Sequence, residues 1–166
     1  MGTLIGLPDW STAPKAEGVE LLHALKEAGY EAIQCRDPEG CREVGVPCYG
    51  SLRTGELGVA DELVKQRKDE GYAALTTHAG WGMEDDSTVD RYVSEIIEAS
   101  EKCDIPVFIE THRATIFQDI WRTVQVIKRF PEVRLNGDFS HWYTGLEMPY
   151  GDMDEKLNFL APVFER

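Results

Sequence analysis

Val107-Phe108-Ile109-Glu110-Thr111-His112-Arg113 is an apolar, β-branched run that ends on a carboxylate with a histidine close behind. Arg134-Leu135-Asn136-Gly137-Asp138-Phe139-Ser140-His141 repeats the pattern one element later. Both read as short buried strands. Between them Ile116, Ile120, Val124 and Ile127 recur at helical spacing as far as Phe130-Pro131. A strand, a helix and a second strand make a crossover whose strands run parallel. Glu110 and Asp138 are then expected at one edge of a sheet, the edge where α/β proteins usually bind ligands.

The same alternation extends in both directions. Thr3 to Leu7 is a weak first strand, and Lys15 to Ala28 is a helix with Val19, Leu22 and Leu25 on its apolar side and Gly29 as its cap. Tyr30 to Cys35 is a second strand, Asp37-Pro38-Glu39-Gly40 opens a turn and at most a short helix, and Val46 to Leu52 is a weaker third strand. Val59 to Glu70 returns to helix, stopped by Gly71. Lys68-Asp69-Glu70-Gly71-Tyr72-Ala73-Ala74-Leu75 echoes Lys26-Glu27-Ala28-Gly29-Tyr30-Glu31-Ala32-Ile33, as two helix-to-strand junctions would. The fourth strand, Ala73 to Thr77, runs into His78-Ala79-Gly80-Trp81-Gly82, and a helix follows with Ser87 as its N-cap and Val89, Tyr92, Val93, Ile96, Ile97 and Ser100 facing inward. Asp154 to Phe164 is a last helix that Pro162 should shorten or bend.

Six strand-helix units in one orientation, with no composition break for a linker, predict a single α/β domain over 1–166 built on a parallel sheet. A closed barrel of eight units usually takes about 250 residues. The 166 residues here suit either an open sheet or most of a (βα)8 TIM barrel. The second is the expectation, with the barrel incomplete at its C-terminal end, because Pro162-Val163-Phe164-Glu165-Arg166 carries no closing signal.

Charge and composition narrow the function. With 17 Lys+Arg against 30 Asp+Glu and a formal charge of -13, the chain lacks the basic footprint of a nucleic-acid binder. A neutral sugar, a polyol or a cation suits it better. No stretch reaches membrane-spanning length, and Met1 to Gly6 lacks the basic and apolar regions of a signal peptide, so a cytoplasmic location is expected. Cys35, Cys41, Cys48 and Cys103 show neither a Cys-x-x-Cys pair nor zinc-finger spacing and read as small reduced thiols without a catalytic role. An open sheet of six units leaves two edges uncovered, which invites a homo-oligomer.

Thr77-His78-Ala79-Gly80, Ile109-Glu110-Thr111-His112 and Asp138-Phe139-Ser140-His141 together resemble the xylose-isomerase-like TIM-barrel superfamily. That group holds sugar phosphate isomerases and epimerases, ketose 3-epimerases, inosose dehydratases and the endonuclease IV branch (AP endonuclease family 2). The resemblance implies that Glu110 and Asp138 bind a divalent metal. It further implies that His141 contacts substrate, or a second metal in the endonuclease branch, and that His78 lines the same mouth. In the epimerase branch another histidine and a second glutamate, from strands seven and eight, complete the metal site, and neither strand is in this sequence.

The chemistry can also be argued from the residues. Isomerising or epimerising a carbonyl compound needs a base for the proton on the adjacent carbon and a positive charge for the enediolate oxygen. A divalent ion held by carboxylates supplies the charge, and a ligating carboxylate can serve as the base. Glu110 is therefore the candidate metal ligand and proton carrier, Asp138 a second metal ligand, and His141 a donor to a substrate hydroxyl or to the oxyanion. Manganese, cobalt, zinc and magnesium all suit such ligands. A dehydratase needs nearly the same groups. An endonuclease-type phosphodiesterase and an inactive barrel serving as an interaction module are the other readings.

Plainer roles stand beside each of these. Asp138 would serve as the N-cap of the next helix, and His112 would pack below the rim. Three of four histidines, His78, His112 and His141, follow strands, whereas His23 sits in a helix and is structural. Arg113 would pair with a rim acid or meet a substrate phosphate. Trp81 and Trp142 would stack on a sugar face or pack as lid or core. Gly80 and Gly82 fit a tight turn, not a phosphate loop.

Overall fold

The computed structural model describes residues 7–145 and 153–164, with side chains of the final helix described from Asn158 onward. Five strands form one sheet in the order β1 to β5: β1 (Ile33–Gln34), β2 (Cys48–Thr54), β3 (Ala74–Ala79), β4 (Val107–Glu110) and β5 (Leu135–Asn136). Every neighbouring pair is parallel. The helices of this region are α1 (Gly18–Glu27), α2 (Pro38–Val44), α3 (Ala60–Glu70), α4 (Asp86–Cys103), α5 (Ile120–Arg129), α6 (Phe139–Gly145) and α7 (Met153–Phe164). Because sequence order equals spatial order, each crossover steps the same way. With the right-handed connection that parallel strands adopt, the helices line one face and the sheet curls. The result is a curled half-barrel. The first strand expected from the sequence, Thr3 to Leu7, falls almost wholly outside the described residues, so the expected fourth, fifth and sixth strands are β3, β4 and β5.

Alternation along the strands sorts the two faces. On β2 the burial pattern alternates, with Tyr49, Ser51 and Arg53 exposed and Cys48, Gly50 and Thr54 buried. Leu75, Thr77 and Ala79 of β3 and Val107 and Ile109 of β4 are buried in register with them on the helix side. Against this face α4 presents Val89, Tyr92, Val93, Ile96 and Ala99, the stripe that the helical period sets out. Burial of such side chains stabilises the fold by roughly 1.5–3 kcal/mol each.

Helix boundaries follow their caps. Asp85, not Ser87, starts α4: its carboxylate accepts the Thr88 N–H at 2.8 Å and the Ser87 hydroxyl at 2.8 Å. The ionised Asp85 carboxylate reaches the free N–H groups from two residues before Ser87. Asp37 and Pro38 open α2, which is a short helix ended by Gly45 at φ 74°. Ile116 precedes α5 instead of belonging to it. Its N–H donates to Ala79 O at 2.9 Å, and Asp119 caps the helix by accepting the Arg122 N–H at 2.8 Å. Ile116 and Phe117 are fully buried all the same, so an apolar residue at helical spacing was filling the core from a loop. The last helix runs through Pro162 to Phe164, and its Phe159 ring stacks on Trp121 of α5 at 5.4 Å.

Candidate metal and proton-transfer site

Register builds the site. Thr77 pairs with Ile109, and Glu110 pairs with Asn136, so His78, Glu110 and Asn136 form one row across the C-terminal ends of β3, β4 and β5. The row lies on the face opposite the helices, because successive side chains alternate. Glu110 is held from both sides. One carboxylate oxygen lies 3.3 Å from His78 Nε2, and the other accepts from Asn136 Nδ2 at 3.1 Å. Asn136 Nδ2 also reaches Thr76 Oγ1 at 3.5 Å, one row lower.

Asp138 lies beyond the strand that the sequence assigned it to, since β5 stops at Asn136. It stands directly before α6, where its Oδ1 accepts the Ser140 N–H at 3.1 Å and the Ser140 hydroxyl. Its other oxygen lies 3.4 Å from His141 Nε2. The Ser140 hydroxyl, and after it the neighbouring His141, hold the Asp138 carboxyl below its ordinary range. The helix-start role and the position at the rim therefore coexist in one residue.

Three imidazoles meet over the row. His112 stacks on His78 at 4.2 Å between ring centroids and meets His141 at 4.0 Å, tilted by 59°. His112 packs and hydrogen-bonds, as its plainer role had it, and it does so as the central ring of the three. Its Nδ1 lies 2.6 Å from Arg113 O. A carbonyl only accepts, so Nδ1 is the donor in this contact.

Ligand atoms of Glu110, Asp138 and His141 all lie within 4.8 Å of one another, and so do those of His78, Glu110 and His112. Glu110 belongs to both groups. Mixed carboxylate and imidazole donors on rigid strand ends fit a divalent ion of the manganese, cobalt, zinc and magnesium type.

The remaining candidates divide. Trp81 is exposed on a loop held tightly: buried Glu84 accepts the Trp81 and Gly82 N–H groups at 2.6 and 2.8 Å, Gln118 Nε2 donates to Gly82 O at 2.8 Å, and Arg53 donates to Gly80 O at 2.7 Å. Trp142 is corrected to a core residue. It is 2% exposed, and its indole N–H donates to Phe117 O at 2.9 Å, so neither ring face is offered to a ligand. Arg113 is exposed and makes no ion pair among the described residues. Sequence reasoning missed Asn136 and Glu84. Asn136 was findable in principle, as the residue two before Asp138 with the same strand parity as Glu110; nothing local marks Glu84.

No family profile matches this chain, and no curated protein does. Its architecture does have a solved counterpart, the probable 3-DHS dehydratase AsbF involved in petrobactin synthesis from Bacillus anthracis. The likeness has a TM-score of 0.60 at 17% identity and covers 89% of this chain. That neighbour is a TIM barrel. The fold is the TIM-barrel type. This chain spans 65% of the length of that structure, in keeping with five of eight barrel strands among the described residues. The arginine decarboxylase of Paramecium bursaria Chlorella virus is similar over 75% of this chain and 43% of its own, with a TM-score of 0.46 and 13% identity. Among the described residues no helix is long and apolar enough to cross a membrane.

Proposed function

We propose that this chain is a single-domain, metal-dependent enzyme of the xylose-isomerase-like superfamily that moves a proton at the carbon beside a carbonyl in a small sugar, sugar phosphate or polyol ketone, as an isomerase or epimerase. The observation that carries the reading is the convergence of Glu110, Asp138 and His141 within 4.8 Å at the strand ends. A divalent ion bound there supplies positive charge where the enediolate oxygen develops. Glu110, fixed between His78 and Asn136, takes the proton from one carbon and returns it to the same carbon or the next. Asp138 holds negative charge at the rim because Ser140 and His141 favour its ionised form. His141 donates to a substrate hydroxyl or to the developing oxyanion, His78 and Arg113 bound the mouth, and Trp81 gives an exposed ring on a braced loop for the apolar face of a sugar. The formal charge of -13 favours such a small partner over nucleic acid.

A lyase is the second reading. Removing the same proton and then expelling a β-hydroxyl needs the same groups, and the architecture is shared with a probable dehydratase. Both reactions begin by removing one carbon-bound hydrogen, and its replacement by deuterium when the enediolate is reprotonated gives a test that does not presuppose the product. The full chain is incubated with divalent ion and a panel of hydroxylated ketones and aldehydes in heavy water, and the loss of the α-proton signal is followed by NMR. Exchange that requires the ion and falls at least about a hundredfold in Glu110→Gln fits general-base action of the expected size. Undiminished exchange in Glu110→Gln removes the role assigned to Glu110.

A further inference from the structure

On the opposite, helix-covered side of the sheet, three of the four cysteines come together. Cys35 follows β1, Cys41 lies on α2 and Cys48 opens β2. The register pairs Ile33 with Cys48, and alternation puts Cys35 on the same face as Ile33. Asp37 and Pro38 then fix where α2 begins, and its inner face brings Cys41 down onto the two strands. The Cys35 sulfur lies 3.5 Å from that of Cys41 and 3.6 Å from that of Cys48, and all three lie within 4.8 Å of one another. No local spacing announces this, because the crossover β1-α2-β2 does the gathering.

We infer that Cys35, Cys41 and Cys48 form a three-sulfur site for one soft, thiophilic metal ion, of which Cu(I) is the representative. The inference is independent of the reading of Glu110. Metal–sulfur bonds of about 2.3 Å place the sulfurs of a regular site roughly 3.8–4.0 Å apart, so the two edges that meet at Cys35 need to open by only a few tenths of an ångström, while the third edge is at most 4.8 Å. Soft thiolates select ions of this kind over magnesium or manganese. Entry is open on one side: Cys35 is half-buried and lines a groove of about 750 Å³ with Arg36, Asp37, Arg42 and Ser51, whereas Cys41 and Cys48 are buried.

A metal site suits the cluster better than a thiol switch does. Burial pushes the Cys41 thiol up to about 11 and that of Cys48 higher still. Disulfide exchange needs a thiolate already present near neutral pH, and burial works against one at Cys41 and Cys48. An incoming metal ion instead displaces the thiol protons as it binds.

Packing alone would produce similar sulfur contacts, so the test reads metal rather than stability. The full chain, reduced and kept anaerobic, competes for Cu(I) against a chromophoric chelator. The expected result is one Cu(I) withdrawn per chain, a sulfur-only first shell by X-ray absorption, and at least a tenfold weaker hold in Cys35→Ser. That variant changes the half-buried member and spares the core. Cys103→Ala and Glu110→Gln should compete as the parent does. The inference is overturned if the chelator keeps its Cu(I) against the parent chain, if Cys35→Ser competes equally well, or if Glu110→Gln is the variant that loses the ion.

Discussion

Glu110 illustrates how much a single position can owe to residues far away in sequence. Its carboxylate end of an apolar run was visible locally, but its two partners, His78 and Asn136, come from neighbouring strands and are set by register. The same holds for His112. Its place between two other rings depends on the turn after β4 and on α6, neither of which local pattern specifies. Two residue-scale predictions test the neighbourhood. Thr111 Oγ1 is buried and has no hydrogen-bond partner among the described residues. Thr111→Val keeps the shape and removes the stranded hydroxyl, so it should stabilise the chain by about 1 kcal/mol, seen as a rise in Tm. Trp142→Phe strands the Phe117 carbonyl instead and should cost about 1–3 kcal/mol, which a denaturant titration would show as a lower midpoint.

At the scale of elements, caps and turns explain where expectation and structure part. Asp85 and Asp119 start helices that hydrophobic spacing alone placed a residue or more away, because capping depends on which side chain reaches free N–H groups rather than on the apolar stripe. The glycine turn after β3 is tighter than a chain reversal requires. Gly80 sits at φ 59°, and a Cβ there would lie 2.6 Å from the Ile116 side chain and against Glu84. Gly80→Ala combines left-handed backbone with overpacking and should cost about 2–4 kcal/mol. Thermal denaturation checks the figure, and an unchanged Tm would mean that the Trp81 loop is slack. Asp138 adds a pH signature. Its folded-state pKa is depressed, so the stability it contributes is fully present above the unfolded value of about 3.9 and disappears as pH falls through the lower folded value. Stability curves of the parent chain and Asp138→Asn should therefore differ near neutrality and converge in acid. A gap that persists at the acid end would contradict that account.

For the molecule as a whole, the α/β alternation was legible from periodicity summed over many residues, and the barrel type from chain length together with the resemblance of the strand-end motifs to a TIM-barrel superfamily. Strand extent was not. Among the described residues β1 and β5 are two-residue strands at the ends of the strand order, where fewer partners hold the backbone in pairing and short edges also blunt pairing with other chains. Likewise the cysteine cluster was invisible, because it is assembled by a crossover rather than by spacing.

The metal reading belongs to this scale as well, because an ion that binds only the folded chain stabilises it globally. At a hundredfold excess over Kd the gain is about 2.7 kcal/mol, or roughly 5–10 °C in Tm for a chain of this size. The most direct measurement is a Mn(II) titration of the parent chain, Glu110→Gln, Asp138→Asn and the double variant. If the two carboxylates grip one ion, each single change should weaken binding at least tenfold, and the double change should add little to the larger single loss. Small losses that simply add, or binding untouched by either change, would show that Glu110 and Asp138 do not share a cation.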